Sequence, residues 1–286
     1  MKTNLDLHVF FTPAEIINIS RRGQAGNVYI VVDVIRATTT LSVMFDRGAS
    51  RVFAAESVEQ AREGARLFPG RLLCGERNAL PLPGFDYGNS PSEFSRLDLT
   101  GRELILATTN GTRAFYACPE EATRLAGSFY NAEAVIAWAL AVAQEQGGNI
   151  AIVCAGELGY FAVEDAACAG YLVLELQRQQ AGGSQGRPLN LWGSAQAAVS
   201  IYEKQGPPDG VAHWHAAQEV IQAGLYDDPA FCVQMSVSTS VPVVVGREEG
   251  TGLLVVEKVS SQKLSTARSQ RDQAGSRTEN LPLKEV

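Results

Sequence analysis

The sequence has no glycine-rich Walker loop and no G-x-G-x-x-G after a strand-like run, so nothing in it calls for ATP or NAD. It also lacks a basic face. With 24 Lys and Arg against 31 Asp and Glu the net charge is -7, whereas a protein that grips a phosphate backbone needs clustered cations. Cysteine is sparse, odd in number and widely spaced. Cys74, Cys118, Cys154, Cys168 and Cys232 contain no C-x-x-C and read as reduced thiols of a cytoplasmic protein. The single histidine pair, His213 and His215, diverges if helical and implies no metal. From Met1 to Phe11 there is one lysine and a short alternating apolar stretch interrupted by Asp6, so neither a signal peptide nor a membrane span is expected there.

What is present is enough apolar material, 45% of 286 residues, for one large or two moderate cores. The organising stretch runs from Val28 to Thr40. Its β-branched run, Val28 to Val32, predicts a strand buried on both faces. Asp33 and Arg36 follow at the carboxyl end, where a carboxylate escapes the cost of an apolar core by facing a crevice with a cation or ligand. Thr38, Thr39 and Thr40 then open a helix through Phe45, and hydroxyls with free N–H groups at a helix start suit an anion.

The rest of the first half alternates strand and helix. Strands are expected over 5–11, 51–55, 71–74, 103–107, 125–129 and 150–154, and helices over 15–22, 58–67 (capped by Ser57 with Glu59 or Gln60), 112–117 and 132–146. Residues 80–95 hold three prolines and two glycines and predict a long ordered loop of the kind that carries function. Beyond, helices are expected over 163–180, 191–202 and 211–223, and closing strands over 241–245 and 253–259. The fold class is α/β, a layered α/β/α arrangement around a mostly parallel or mixed sheet, with two similar α/β halves as one form of it. The expected division is 1–146, 147–259 and a mobile polar tail over 260–286.

Four strand ends carry polar clusters: Asp33 with Arg36, Glu76 with Arg77, Thr108 to Thr112, and Gly156-Glu157 followed by Glu164-Asp165. In a parallel or mixed sheet such ends can share one crevice. Two other patterns carry less. Cys118 and Arg124 have the spacing of a thiol phosphatase loop, but Glu120 and Glu121 between them would repel both a thiolate and a phosphate. Asp33 resembles the nucleophile of aspartate-dependent phosphatases, yet Ile35 stands where their general acid would be, so metal binding is favoured over covalent catalysis while the latter stays open.

DVIRATTT at 33–40, GER at 75–77, PGFDYGNSP at 83–91, TTNGT at 108–112, CAG at 154–156 and ED at 164–165 together resemble the 2-phosphosulfolactate phosphatase family over most of residues 5–246. The resemblance implies a Mg²⁺-dependent phosphoric monoester hydrolase that converts (R)-2-phospho-3-sulfolactate to 3-sulfolactate and phosphate in coenzyme M biosynthesis. Two stretches depart from the family: Gly159-Tyr160-Phe161 is bulkier and less polar than expected, and 231–236 is less acidic. A phosphomonoester with two further acid groups needs cations around it. Asp33, Glu76, Asp86 and Asp165 are accordingly the expected Mg²⁺ ligands, and Arg36 and Arg77 join Asp33 as catalytic residues that fork onto anionic oxygens. Thr38 and Thr39 with their hydroxyls, and Thr109, Asn110, Gly111 and Thr112 with their N–H groups, are expected to bind the remaining oxygens. The mechanism expected is attack by metal-activated water, and loss of Arg36 is expected to lower turnover far more than stability. Expected partners are a small anionic phosphoester, no nucleic acid and no membrane, with a homo-oligomer compatible. A phosphatase for another phosphorylated hydroxy acid and a non-catalytic anion-binding protein are the alternatives.

Overall fold

Val28–Val32 forms a strand with all five side chains buried, Val28, Ile30 and Val32 in one apolar cluster and Tyr29 and Val31 in another. This is the two-sided burial its β-branched run calls for. The computed structural model describes residues 4–16, 27–181 and 187–259. Their strands are β1 (Leu5–Phe10), β2 (Val28–Val32), β3 (Arg51–Ala55), β4 (Leu72–Arg77), β5 (Leu80–Pro81), β6 (Glu103–Ala107), β7 (Thr123–Gly127), β8 (Ile150–Cys154), β9 (Leu189–Leu191), β10 (Pro242–Arg247) and β11 (Leu254–Lys258). The helices are α1 (Ala37–Asp46), α2 (Val58–Leu67), α3 (Pro91–Phe94), α4 (Gly111–Ala117), α5 (Ala132–Gln146), α6 (Val163–Ala181), α7 (Gly193–Gln205), α8 (His215–Gln222) and α9 (Asp228–Cys232).

All described strands join one mixed, mostly parallel sheet in the order β5-β4-β6-β3-β11-β10-β7-β2-β8-β1-β9. Two parallel blocks, β4-β6-β3 and β7-β2-β8-β1-β9, are separated by the β10-β11 hairpin, whose three pairings are all antiparallel. Three reversals set the blocks in opposite senses. Sheet twist compensates: five steps from β2 to β6 at roughly 20–25° each rotate one block by ~100–125° relative to the other. Carboxyl ends that a flat sheet would hold apart can therefore converge.

Helices cover both faces. Helices α5, α6 and α7 pack on the outer face of the larger block, burying Val135, Ile136, Leu172 and Leu176, and α2 covers the smaller block against Phe53 and Ile105. Between the blocks lie α1 and α4, with Leu41, Met44 and Phe115 in the same cluster as Val31, Val52 and Leu106. The layered α/β/α class is as expected, and residues on both sides of 146 share the sheet, since β8 lies between β2 and β1.

Local signals translate directly. Ser57 Oγ accepts from the Gln60 N–H at 3.1 Å, and Gln60 Oε1 accepts from the Glu56 N–H at 2.8 Å, capping α2 from both directions. Three expectations differ in detail. The 80–95 loop contains β5 and α3, the latter started by the Ser90 hydroxyl and Pro91. The stretch expected to be helical from 191 begins as the edge strand β9, and the 211–223 helix is a 3₁₀ turn and then α8, broken at the fully buried Trp214. The expected helix over 15–22 is helical at Glu15 and Ile16; its continuation, and the tail from 260, lie outside the described residues. No helix among the described residues is long and apolar enough to cross a membrane.

Candidate active site

Two of the four polar strand ends line one crevice of about 110 Å³ in full, and Glu76 of the third and Thr109 and Asn110 of the fourth join them. From the larger block come Asp33 and Arg36 after β2, Gly156 and Glu157 after β8, and Glu164 and Asp165 in the first turn of α6; from the smaller block comes Glu76. Asp33, Glu76, Glu164 and Asp165 are each no more than 9% exposed. None of them meets a lysine or arginine in an ion pair among the described residues.

Hydrogen bonds hold these carboxylates in place. Asp33 Oδ1 accepts from the Ala37 N–H at 3.2 Å. Asp165 accepts the Val34 N–H at 2.9 Å on one oxygen and the Gly156 N–H at 3.0 Å on the other, tying α6 to the ends of β2 and β8. Glu76 accepts the Thr109 and Ala79 N–H groups at 2.8 and 3.2 Å. Burial pushes the Asp33 carboxyl up to about 6, against the pull of the Ala37 N–H, with Glu76 adding to the rise. Burial, then the charge of Asp33, pushes Asp165 well above its ordinary value, and burial also raises Glu164. Burial and mutual repulsion both disfavour the ionised forms of these carboxyls, and a cation in the crevice would favour them.

Two glycines permit the convergence. A Cβ at Gly111 would lie 2.5 Å from both the Ala37 methyl and Asp33 Oδ2, so only glycine lets the start of α4 reach the end of β2. Gly156 has φ +67°, and a Cβ there would collide with the Tyr160 carbonyl where the 157–160 turn closes. That turn carries Leu158, Tyr160 and Phe161 outward as an exposed apolar lip.

Arg36 also lines the crevice. Its Nη1 donates to Asp228 Oδ2 at 3.0 Å and its Nη2 to the Ala79 carbonyl at 2.9 Å. The other Asp228 oxygen accepts from the Ser90 hydroxyl at 2.7 Å and the Ser92 N–H at 3.3 Å. Asp228 was not foreseen. Followed by Pro229 at the start of α9, it has the local pattern of a helix cap, and its partner is 192 residues away.

Other expected site residues stand elsewhere. Arg77 is exposed and lies outside the crevice, because neighbours on a strand face opposite ways and Glu76 takes the inner side. Asp86 is exposed, and its carboxylate accepts the Leu73 N–H at 2.7 Å, pinning the loop to β4 rather than facing a metal. The Thr38 and Thr39 hydroxyls are buried and donate to the Asp33 and Val34 carbonyls, building the turn into α1 and not an anion cradle. Thr112 exchanges bonds with Thr108, and the Thr109 N–H is spent on Glu76. Asn110 lines the crevice and accepts the Leu158 N–H at 3.0 Å.

Asp33, Glu164 and Asp165 are oxygen donors of the kind a hard divalent ion takes, but they do not form a group of three with all ligand atoms within 4.8 Å of one another; among the described residues the one such group lies at the rim. At the rim, Glu157, His215 and Glu219 bring candidate ligand atoms within 4.8 Å of one another, with His215 Nδ1 2.9 Å from Glu157 Oε1. Cys118, by contrast, is 2% exposed, outside the crevice, and burial raises its thiol to about 12 despite Arg124. It is a packing residue. All five cysteines are buried and unbridged.

The family model described as 2-phosphosulpholactate phosphatase matches residues 15–247. A protein of Thermus thermophilus named a probable 2-phosphosulfolactate phosphatase is 36% identical over 225 residues, 77% of this chain and 89% of that one. Proteins of the same name from Deinococcus radiodurans and Thermotoga petrophila are 35% identical over 222 residues and 33% over 218, covering 77% and 76% of this chain and 88% of each relative. With most of its length matched by the family and by relatives taken over nearly their whole length, the chain belongs to the 2-phosphosulfolactate phosphatase family.

Proposed function

We propose that this phosphoric monoester hydrolase removes phosphate from (R)-2-phospho-3-sulfolactate, giving 3-sulfolactate, with Mg²⁺ as cofactor, in the cytoplasm and on the route to coenzyme M. The family supports the reaction class. The observation that carries the reading is the group of buried carboxylates around Asp33 and Asp165, none in an ion pair with a lysine or arginine among the described residues, in a crevice that Arg36 also lines.

Asp33 and Asp165, with Glu164 alongside, would hold Mg²⁺, which when bound supplies charge compensation and a water activated for attack on phosphorus. Glu76 holds the β6-α4 turn against the β4 end by accepting the Thr109 N–H and closes the β4-β5 turn by accepting the Ala79 N–H, so Thr109 and Asn110 line the crevice. Arg36, aimed by Asp228 and the Ala79 carbonyl, offers its remaining N–H edge to oxygens of the transferring phosphoryl. Because Asp228 cancels its charge, Arg36 orients more than it attracts. Admission of a multiply charged ester to so acidic a crevice then depends on the cation.

The test is phosphate release from synthetic phosphosulfolactate during a magnesium titration, with EDTA as the blank. Release that requires Mg²⁺ and prefers the sulfonated ester is the expected result; equal turnover in EDTA removes the metal from the reading. A phosphatase for another phosphorylated hydroxy acid is favoured by the apolar lip of Leu158, Tyr160 and Phe161, exposed where a sulfonate specialist would be more polar. A panel that includes phospholactate separates the two.

A further inference from the structure

Most polar groups of the crevice are already committed: Arg36 to Asp228, Glu76 to two backbone N–H groups, and Asp165 to two more. Two of the residues that line it, Asn89 and Thr109, each keep a side-chain oxygen that is not. Asn89 Oδ1 and Thr109 Oγ1 are buried and have no hydrogen-bond partner among the described residues. Asn89 is only 3% exposed. Its backbone is fixed, since its carbonyl accepts from the Thr40 hydroxyl at 3.2 Å, and the next residue, Ser90, both caps α3 and donates to Asp228. A carboxamide held this firmly and left unpaired is a cost the fold carries until something in the crevice bonds to it.

Its chemistry suits the place. A neutral amide can stand among several carboxylates without repelling a negatively charged ligand, and a half-turn of its end group exchanges oxygen for N–H without changing shape. An N–H turned to the crevice donates to an oxyanion, and the hydroxyl of Thr109, which lines the same crevice, is a second donor of the same kind. Both residues therefore read an anion without adding charge.

We propose that Asn89 is a substrate-binding residue, its carboxamide donating to an anionic oxygen of the phosphorylated hydroxy acid, with the Thr109 hydroxyl as the second neutral donor. The class of ligand rests on the function proposed above; the position of the uncommitted amide does not. Inorganic phosphate and 3-sulfolactate serve as separate probes of the two ends of the ester. Calorimetric titration of each into wild type, Asn89→Ala and Asn89→Asp in Mg²⁺ is expected to show ~10-fold weaker binding of one probe to the alanine variant and a greater loss for aspartate, as one hydrogen bond to a charged group is removed or turned repulsive. The ester KM should rise with kcat held within about twofold, and the melting temperature should not fall. Asn89→Ser replaces alanine if that variant does not fold.

Unchanged affinity for both probes, or no binding of either to wild type, overturns the proposal. If Asn89-dependent binding is seen and phosphosulfolactate is not turned over, the proposed function fails and the binding role stands. If turnover is normal and both affinities ignore Asn89, the reverse holds.

Discussion

Arg36 Nη1 lies 3.0 Å from Asp228 Oδ2, with the two side chains 3% and 0% exposed. The pair changes what substitution of Arg36 does. Removing one partner of a buried pair leaves the other charge uncompensated at about 3–5 kcal/mol, whereas replacing both with apolar residues is often neutral. Arg36→Ala is therefore expected to lose substantial stability as well as turnover, whereas the sequence alone leads to the expectation that turnover falls far more than stability. Urea denaturation checks this: Asp228→Ala should resemble Arg36→Ala, and the double variant Arg36→Met, Asp228→Leu should recover much of the stability while staying inactive. Full activity in Arg36→Ala would remove it from the site.

The acid pair Asp33 and Asp165 gives the metal-free protein a characteristic pH dependence. Burial raises Asp33 from 3.8 to about 6, and Asp165 also moves up. Between those values the folded state binds more protons than the unfolded chain, so stability is highest below pH 4 for this group and falls as pH rises towards 6. In EDTA, Asp33→Asn is expected to be more stable than wild type at neutral pH and equal to it in acid; adding Mg²⁺ should stabilise wild type only. Thermal melts across pH measure both.

Gly111→Ala tests the close approach of α4 to β2. The added methyl meets Ala37 and Asp33 at 2.5 Å, and such overpacking costs about 1–3 kcal/mol when the backbone has to shift. Turnover is expected to fall at least ~10-fold while most of the stability survives, because the displaced element carries Thr109 and Asn110 away from Asp33. Wild-type kinetics in this variant would show that the two strand ends need not touch.

Arg77 and Asp86 should behave as ordinary surface residues. Arg77→Ala is expected to keep kcat/KM within about twofold and to leave Mg²⁺ affinity unchanged. Asp86→Ala should cost about 1 kcal/mol through the lost bond to the Leu73 N–H, again with the metal bound as before. A large rise in the Mg²⁺ requirement of Asp86→Ala would restore it as a ligand.

The sequence made the ends of the strands legible and left their mutual placement hidden. Val28 to Asp33, the Ser57 cap and the acids opening α6 are local signals, written in periodicity and cap chemistry, and each appears where its pattern puts it. Glu76 and Arg77 could have been separated by the same logic, since adjacent residues of a strand cannot both face one crevice. Asp228 could not be found that way: its role exists only once α9 meets α1 and α3. The three-residue strand β9 is too short to show a period, and the antiparallel insertion in the middle of the sheet has no local signature at all.

That insertion has a consequence for how the molecule comes into being. Residues 242–258 are the last of the described strands to leave the ribosome, yet they occupy the centre of the sheet, between β7 and β3. Until they arrive, the nascent chain holds two separate parallel blocks, each with an open edge of unpaired backbone groups. A messenger truncated before codon 242 would leave those edges open for good, and its product should aggregate rather than persist as a smaller phosphatase.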